Sequence, residues 1–315
     1  MKIYLFNHNH NGDLYFNQSI IRNICKNNKQ YEFTMFCKYN SFIFSEIPNL
    51  HIDIGDSINY FIKKSNECFF LTDNNILAIN LWILPLSKYH PSSSHSEIEC
   101  NIKNYVDTFQ KLLIDIQHKY NITLCIDNFT IETYIPVLPY VNLDDFEVWN
   151  NNRDPTKQLV LYYNYRPFSG QKVSINNHDM CILGLAKICT NTIFLIADLS
   201  DNLANEIKIN NINNIIDCKT QFNCIPTKTC ENICKIQKIA EKCNYSIHFD
   251  IGACFYYLNN AILSNTTNIT LHLGHSDFFY NNITKDFPTV QSKVRYIHSE
   301  NDIDAYLKLE DIINC

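Results

Sequence analysis

Glycine is scarce in this chain, with six residues in 315. Neither GxGxxG nor GxxxxGK[ST] is present. Their absence removes the fingerprints of nicotinamide enzymes and of P-loop NTPases. GxSxG and HExxH are missing as well, which excludes the hydrolase nucleophile elbow and the zincin helix. No apolar run approaches the roughly 18 residues of a membrane span. The N-terminus turns polar after a few apolar residues, unlike a signal peptide. The chain therefore reads as a cytoplasmic protein without a membrane span. Positive charge is also in short supply. Lys and Arg number 26 against 32 Asp and Glu, a net charge of −6. Nucleic acid held by phosphate neutralisation is a poor partner for such a chain, although a local basic site for a small phosphorylated molecule stays open.

Cysteine, by contrast, is plentiful at 14 residues, yet no CxxC pair occurs. The nearest thing to a cluster is Cys218, Cys224, Cys230 and Cys234, whose spacing fits no zinc ribbon or finger. No metal site is expected. The thiols are expected to be reduced and to pack as small hydrophobes. A hydrophobic content of 46% suits a globular protein, and the length suits two domains better than one core.

What the sequence does contain is αβ grammar. Ile3-Tyr4-Leu5-Phe6 reads as a buried strand, followed by the polar run Asn7 to Asp13 and by Leu14, Phe16, Ile20 and Ile21 at helical spacing. Strand, loop and helix form the opening unit of a doubly wound sheet, and ligands bind outside the carboxyl ends of such strands. His8, His10 and Asp13 fall in that loop, either as reacting groups or as solvated residues and a helix cap. Tyr31–Cys37 and Leu50–Ile52 read as further strands, with a short helix over Ile43–Ile47. Cys68–Thr72 and Ile76–Leu84 read as two strands broken at Asp73-Asn74-Asn75. Ile98, Ile102, Val106, Phe109, Leu113 and Ile116 predict a helix over Glu97–Tyr120, and Ile122–Ile126 reads as a strand after it.

The polar, acidic stretch Asn142–Lys157 reads as a linker. It divides the chain into expected domains at 1–150 and 151–315. A second αβ series follows. Leu159–Tyr163 is a strand leading into the loop Asn164–Lys172, then come a helix containing Met180, Leu183, Leu185 and Ile188 and a strand over Thr192–Ala197. A short strand over Ile212–Ile216, a helix over Cys230–Cys243, and strands over Ser246–Phe249 and Asn268–Leu273 complete the pattern. Gly12, Gly170, Gly252 and Gly274 each follow an expected strand. Glycine at those ends lets backbone approach a ligand. The fold class is thus α/β, two Rossmann-like domains facing a cleft.

The opening strand with Gly12-Asp13-Leu14, and the later Pro48-Asn-Leu-His-Ile, resemble the N-terminal pattern of ADP-heptose:lipopolysaccharide heptosyltransferases. Leu159–Lys172 is similar to the strand and phosphate-facing loop of that family's donor domain. Ile247-His-Phe-Asp-Ile-Gly-Ala253, followed by Ile269-Thr-Leu-His-Leu-Gly274, is similar to its Asp-x-Gly unit and following strand. The resemblance implies a GT-B glycosyltransferase, metal-independent and without a cofactor, taking a nucleotide-sugar as substrate. The donor would bind the C-terminal half, and a glycan or other hydroxyl acceptor the N-terminal half. Asp13 takes the position of the general base, and Asp250 and Gly252 take those of the donor-site Asp and Gly. Phe255 stands where the family often has histidine, and Ile251 where it has a small hydroxyl residue, so this is a divergent pattern.

The residues support the same chemistry. Sugar transfer needs a base for the acceptor hydroxyl and donors for the leaving diphosphate. Asp13, His8 or His10 can supply the first. Arg166, Ser169, Gly170, Gln171 and Lys172 can supply the second beside a helix N-terminus, or Arg166 and Lys172 face solvent. Asp250 contacts donor hydroxyls or caps a helix, and Trp82 stacks on a sugar or fills core. A non-catalytic carbohydrate-binding or assembly protein on the same scaffold is the alternative, because function belongs to the site.

Overall fold

The computed structural model describes residues 1–7, 11–37, 41–82, 86–89, 102–127, 136–163, 178–224, 230–249, 269–274, 294–298 and 302–313. Among these, the chain divides into two compact units between Pro139 and Tyr140.

The first unit carries β1 (Lys2–Asn7), α1 (Asn11–Asn27), β2 (Glu32–Cys37), β3 (Leu50–Asp53), α2 (Ile58–Ile62), β4 (Phe69–Leu71), β5 (Leu77–Asn80) and α3 (Ile102–Tyr120). Its sheet runs in the order β3-β2-β1-β5-β4, parallel except for the β4–β5 pair. Ile3, Leu5 and Phe6 on β1 are all fully buried, as in a parallel sheet covered on both faces. An aromatic cluster fills one face. Phe61 of α2 stacks on Phe6 at 5.0 Å and meets Phe36 at 4.6 Å. The expected break at Asp73-Asn74-Asn75 is a hairpin turn, with Asn75 left-handed at φ 56° and the Thr72 N–H bonded to the Ile76 carbonyl. Left-handed turns elsewhere use the same residue. All five non-glycine positive-φ positions among the described residues are asparagine, whose short amide tolerates that region. A glycine-poor chain therefore turns on asparagine.

Two expectations in this unit give way. A 3₁₀ turn at Ser41–Phe44 replaces the short helix over Ile43–Ile47. The segment 122–127 joins no strand, although it is extended in sequence character. Side chains of α1 and the residue just past it take the ladder's place. The Cys125 N–H donates to Asn28 Oδ1 at 2.8 Å, and Asn28 Nδ2 donates to the Cys125 carbonyl at 2.7 Å. The Asp127 N–H donates to Asn23 Oδ1 at 2.9 Å. Gln18 does the same for Val137, accepting from its N–H at 2.9 Å and donating to its carbonyl at 2.7 Å. These amides satisfy backbone groups that a sheet would otherwise pair.

The second unit carries α4 (Asp144–Asn152), β6 (Gln158–Tyr162), α5 (His178–Ile188), β7 (Thr192–Ile196), α6 (Asp201–Ile209), β8 (Ile215–Asp217), α7 (Cys218–Gln221), α8 (Cys230–Ala240), β9 (Tyr245–Phe249), β10 (Ile269–Gly274), β11 (Val294–His298) and α9 (Asp302–Ile313). Its sheet, β11-β10-β9-β6-β7-β8, is parallel throughout. The stretch expected as a linker is occupied by α4, so the expected boundary at residue 150 falls inside a helix. Asp144, Asp145 and Glu147 sit in its first turn, where acidic groups complement the helix dipole. Fully buried Phe146 packs edge-on against Phe222 at 5.2 Å. Acidity there marks a helix start. On α5 the buried face is Cys181, Ile182, Leu183, Leu185 and Ala186, whereas Met180 and Ile188, expected within the apolar pattern, are exposed.

Of the described cysteines, nine are free and eight of those are buried. Burial pushes the Cys25 and Cys243 thiols up to about 12, and Cys68 and Cys224 up to about 11. Cys189 departs from the expectation of reduced thiols, being held in a disulfide.

Candidate functional site

Each sheet reverses its strand order once. In the first, the chain runs outward from β1 through β2 to β3, then returns to β1's other side with β5. In the second, it runs outward from β6 through β7 to β8, then returns to β6's other side with β9. Crevices at such reversals, outside the carboxyl ends of the strands, are where open α/β sheets bind ligands.

The residues singled out from the sequence follow the strands at these two reversals. β1 ends at Asn7, directly before His8 and His10, which lie outside the described residues. α1 begins at Asn11, so Gly12 and Asp13 stand in its first turn and not in the loop expected for them. An acidic residue is favoured there by the helix dipole. Trp82 follows β5, whose Asn80 pairs with Phe6 of β1. The Leu81 N–H extends that ladder to the Phe6 carbonyl at 2.9 Å. Asn80, fully buried, fixes the exit of the chain. Its Nδ2 donates to the carbonyls of Ser65 and Glu67, and its Oδ1 accepts the Trp82 N–H at 3.0 Å. Trp82 itself is half-buried, short of the fully enclosed position that a core tryptophan would take.

In the second unit, β6 runs into Tyr163 and toward the segment with Arg166, Ser169, Gly170, Gln171 and Lys172. β9 leads directly to Asp250 and Gly252. All seven of these residues lie outside the described set. The strands that lead to them are neighbours, with Tyr162 opposite Ile247 and the Tyr163 N–H on the Ile247 carbonyl at 2.9 Å. Tyr163 and His248, both fully buried, bring their rings to 5.2 Å. The Tyr162 hydroxyl donates to Asp179 Oδ1 at 3.2 Å, and that carboxylate occupies the first turn of α5. The positive end of α5, expected to help hold a diphosphate, thus already has an acidic complement.

The sequence reading missed the polar groups beneath the first reversal. Asn7, Asn17 and Tyr105 are buried and bonded in series. A signal existed: Leu14, Asn17, Ile21 and Ile24 recur at threes and fours, which puts Asn17 on the inward stripe of α1. Among the described residues no group of three or more His, Cys, Asp or Glu side chains is arranged to hold a metal ion.

No protein-family model matches the chain, and no curated protein does. Solved structures do. The chain is similar to the E. coli heptosyltransferase WaaC with ADP, at 9% identity and a TM-score of 0.50, over 100% of this chain and 99% of that one. It is also similar to a family 9 glycosyl transferase from Veillonella parvula, at 10% identity and a TM-score of 0.51, over 98% of this chain and 90% of that one. Likeness at such identities establishes the fold. The chain has the α/β GT-B scaffold of two Rossmann-like domains, the scaffold implied by the resemblance read from its sequence.

Proposed function

We propose that the protein is a glycosyltransferase. It moves a sugar from a nucleotide-sugar donor to a glycan or other hydroxyl acceptor, without a metal and with an aspartate as general base. The observation that carries this reading is topological. The residues chosen from sequence for base and acceptor follow β1 and β5, those chosen for the donor follow β6 and β9, and these are the two strand pairs at which the sheets reverse.

Asp13 takes the proton of the acceptor hydroxyl as that oxygen attacks the sugar's anomeric carbon, and the nucleoside diphosphate departs. Arg166 and Lys172, with the amides of Ser169, Gly170 and Gln171, stabilise the charge developing on the diphosphate. Asp250 holds donor hydroxyls beside Gly252. Trp82 offers an aromatic face to the acceptor. His8 or His10 is the alternative base.

A hydrolysis and thermal-shift screen across UDP-, GDP-, ADP- and CMP-sugars tests the reading. One nucleotide series should raise the melting temperature, and its sugar conjugate should be slowly hydrolysed, equally well with and without a chelator. Absence of both effects for every donor would remove the assignment.

A further inference from the structure

A series of buried polar groups runs beneath the carboxyl edge of the first sheet and touches both strands at its reversal. Asn7 Nδ2 donates to Asn17 Oδ1 at 2.8 Å, and Asn17 Nδ2 donates to the Tyr105 hydroxyl oxygen at 2.7 Å. The Tyr105 hydroxyl in turn donates to the Leu81 carbonyl at 3.0 Å. The three side-chain partners are 0%, 2% and 4% exposed. Four parts of the unit are tied together: β1, α1, α3 and the chain leaving β5. Apolar side chains of similar size would fill this space with less desolvation. Hydrogen bonds add direction, which apolar packing does not.

What they direct is the candidate site. Asn7 immediately precedes the segment carrying His8 and His10. Position 17 lies four residues after position 13, on the same face of α1. Leu81 immediately precedes Trp82. We propose that Asn17 and Tyr105 are positioning residues, fixing the first turn of α1 and the exit to Trp82 relative to one another. A base and an aromatic acceptor platform carried on separate elements would thereby keep one geometry. The chemistry of this inference rests on the glycosyl-transfer reading, whereas its geometry does not.

Tyr105 is the pivot, because one hydroxyl both accepts from Asn17 and donates to Leu81. Tyr105→Phe keeps the ring in the core and removes both bonds. A displacement of about 1 Å between reacting groups lowers turnover by up to about 100-fold.

The chain has two tryptophans, so in a Trp149→Phe background Trp82 alone reports emission. Tyr105→Phe is compared there with Ile116→Val, which trims the buried face of the same helix without touching the polar series. Tyr105→Phe should shift Trp82 emission and lower kcat about 10–100-fold with the donor KM unchanged. Ile116→Val should leave emission and kcat at their starting values. Should Tyr105→Phe fail to fold, Asn17→Ser carries the same readouts. Unchanged emission and kcat, or the same changes in Ile116→Val, would overturn the proposal. If the unsubstituted protein turns over no nucleotide-sugar, the glycosyl-transfer reading fails separately. Trp82 emission then decides the positioning role alone: a shift in Tyr105→Phe upholds it and constancy overturns it.

Discussion

Asn7 and Asn17 share a hydrogen bond of 2.8 Å, Nδ2 to Oδ1, at a depth where neither is more than 2% exposed. It joins the last residue of β1 to the inward stripe of the helix that follows. The stretch between them carries His8, His10 and, in the first turn of α1, Asp13, so this bond ties together the two ends of the candidate segment. Asn17→Leu keeps the volume and removes one bond to each neighbour. Urea unfolding should show a loss of about 1–3 kcal/mol at an unchanged m-value, the range for buried polar groups deprived of a partner.

Asp13 stands in the first turn of α1, where a carboxylate is favourable for the helix whatever else it does. Asp13→Asn separates the two roles. Asparagine serves a helix start well but cannot take a proton. Turnover should fall about 100–10,000-fold while donor affinity and melting temperature hold. A rate near the wild-type value would move the base to His8 or His10.

Arg166 and Lys172 belong to the segment that follows β6. Replacing either with alanine should weaken nucleoside-diphosphate binding by about 1–3 kcal/mol, the range for one charge-assisted hydrogen bond. Calorimetry on both single variants measures this. Equal affinity in both would remove the diphosphate assignment.

Much of this architecture could be read from residue order. Short apolar runs gave the central strands of both sheets, and Val106, Phe109, Leu113 and Ile116 gave the buried face of α3. The failures have physical causes. Ile122–Ile126 has strand-like residues, but Asn28 bonds its backbone at Cys125 and Asn23 bonds that of Asp127 just past it, and side chains 97 and 104 residues away are invisible to a local pattern. α4 was hidden because three acidic residues look like a solvated linker until Phe146 is seen packed on Phe222. Asn7, Asn17 and Tyr105 sit inside the core, where a polar residue within an apolar pattern gives no sign of its partner. The periodicity of α1 was enough to place Asn17 inward, but its partner on α3 is 88 residues away.

Gly184 lies inside α5, where alanine would ordinarily add about 1 kcal/mol through helix propensity. Here a Cβ would meet Cε2 of Tyr306 on α9 at 2.8 Å, and a ring cannot bend aside as a flexible chain end does. Overpacking of this kind costs about 1–3 kcal/mol, so the clash outweighs the propensity gain. Gly184→Ala should lower the melting temperature, whereas in a Tyr306→Ala background, with the ring gone, alanine at 184 should raise it. A stabilising Gly184→Ala would mean that α9 slides away without loss.

Glu241 follows α8 and faces Lys238, with Oε1 to Nζ at 3.1 Å. Burial raises its carboxyl above the ordinary value of 4.5, and the Lys238 charge offsets this only in part. A carboxyl whose folded pKa lies above its unfolded one binds its proton more tightly in the native state. Its contribution to stability is therefore complete below about pH 4.5 and is lost as pH rises through the folded value. At pH 8 the folded protein keeps a partly desolvated negative charge that the unfolded chain would hydrate freely. Glu241→Gln keeps the shape and removes that charge. The variant should be more stable than wild type at pH 8, with the gap closing as the pH falls toward 4.5, followed by chemical denaturation across that range. A variant less stable at pH 8 would show that the ion pair with Lys238 outweighs desolvation, and the sign of the argument would reverse.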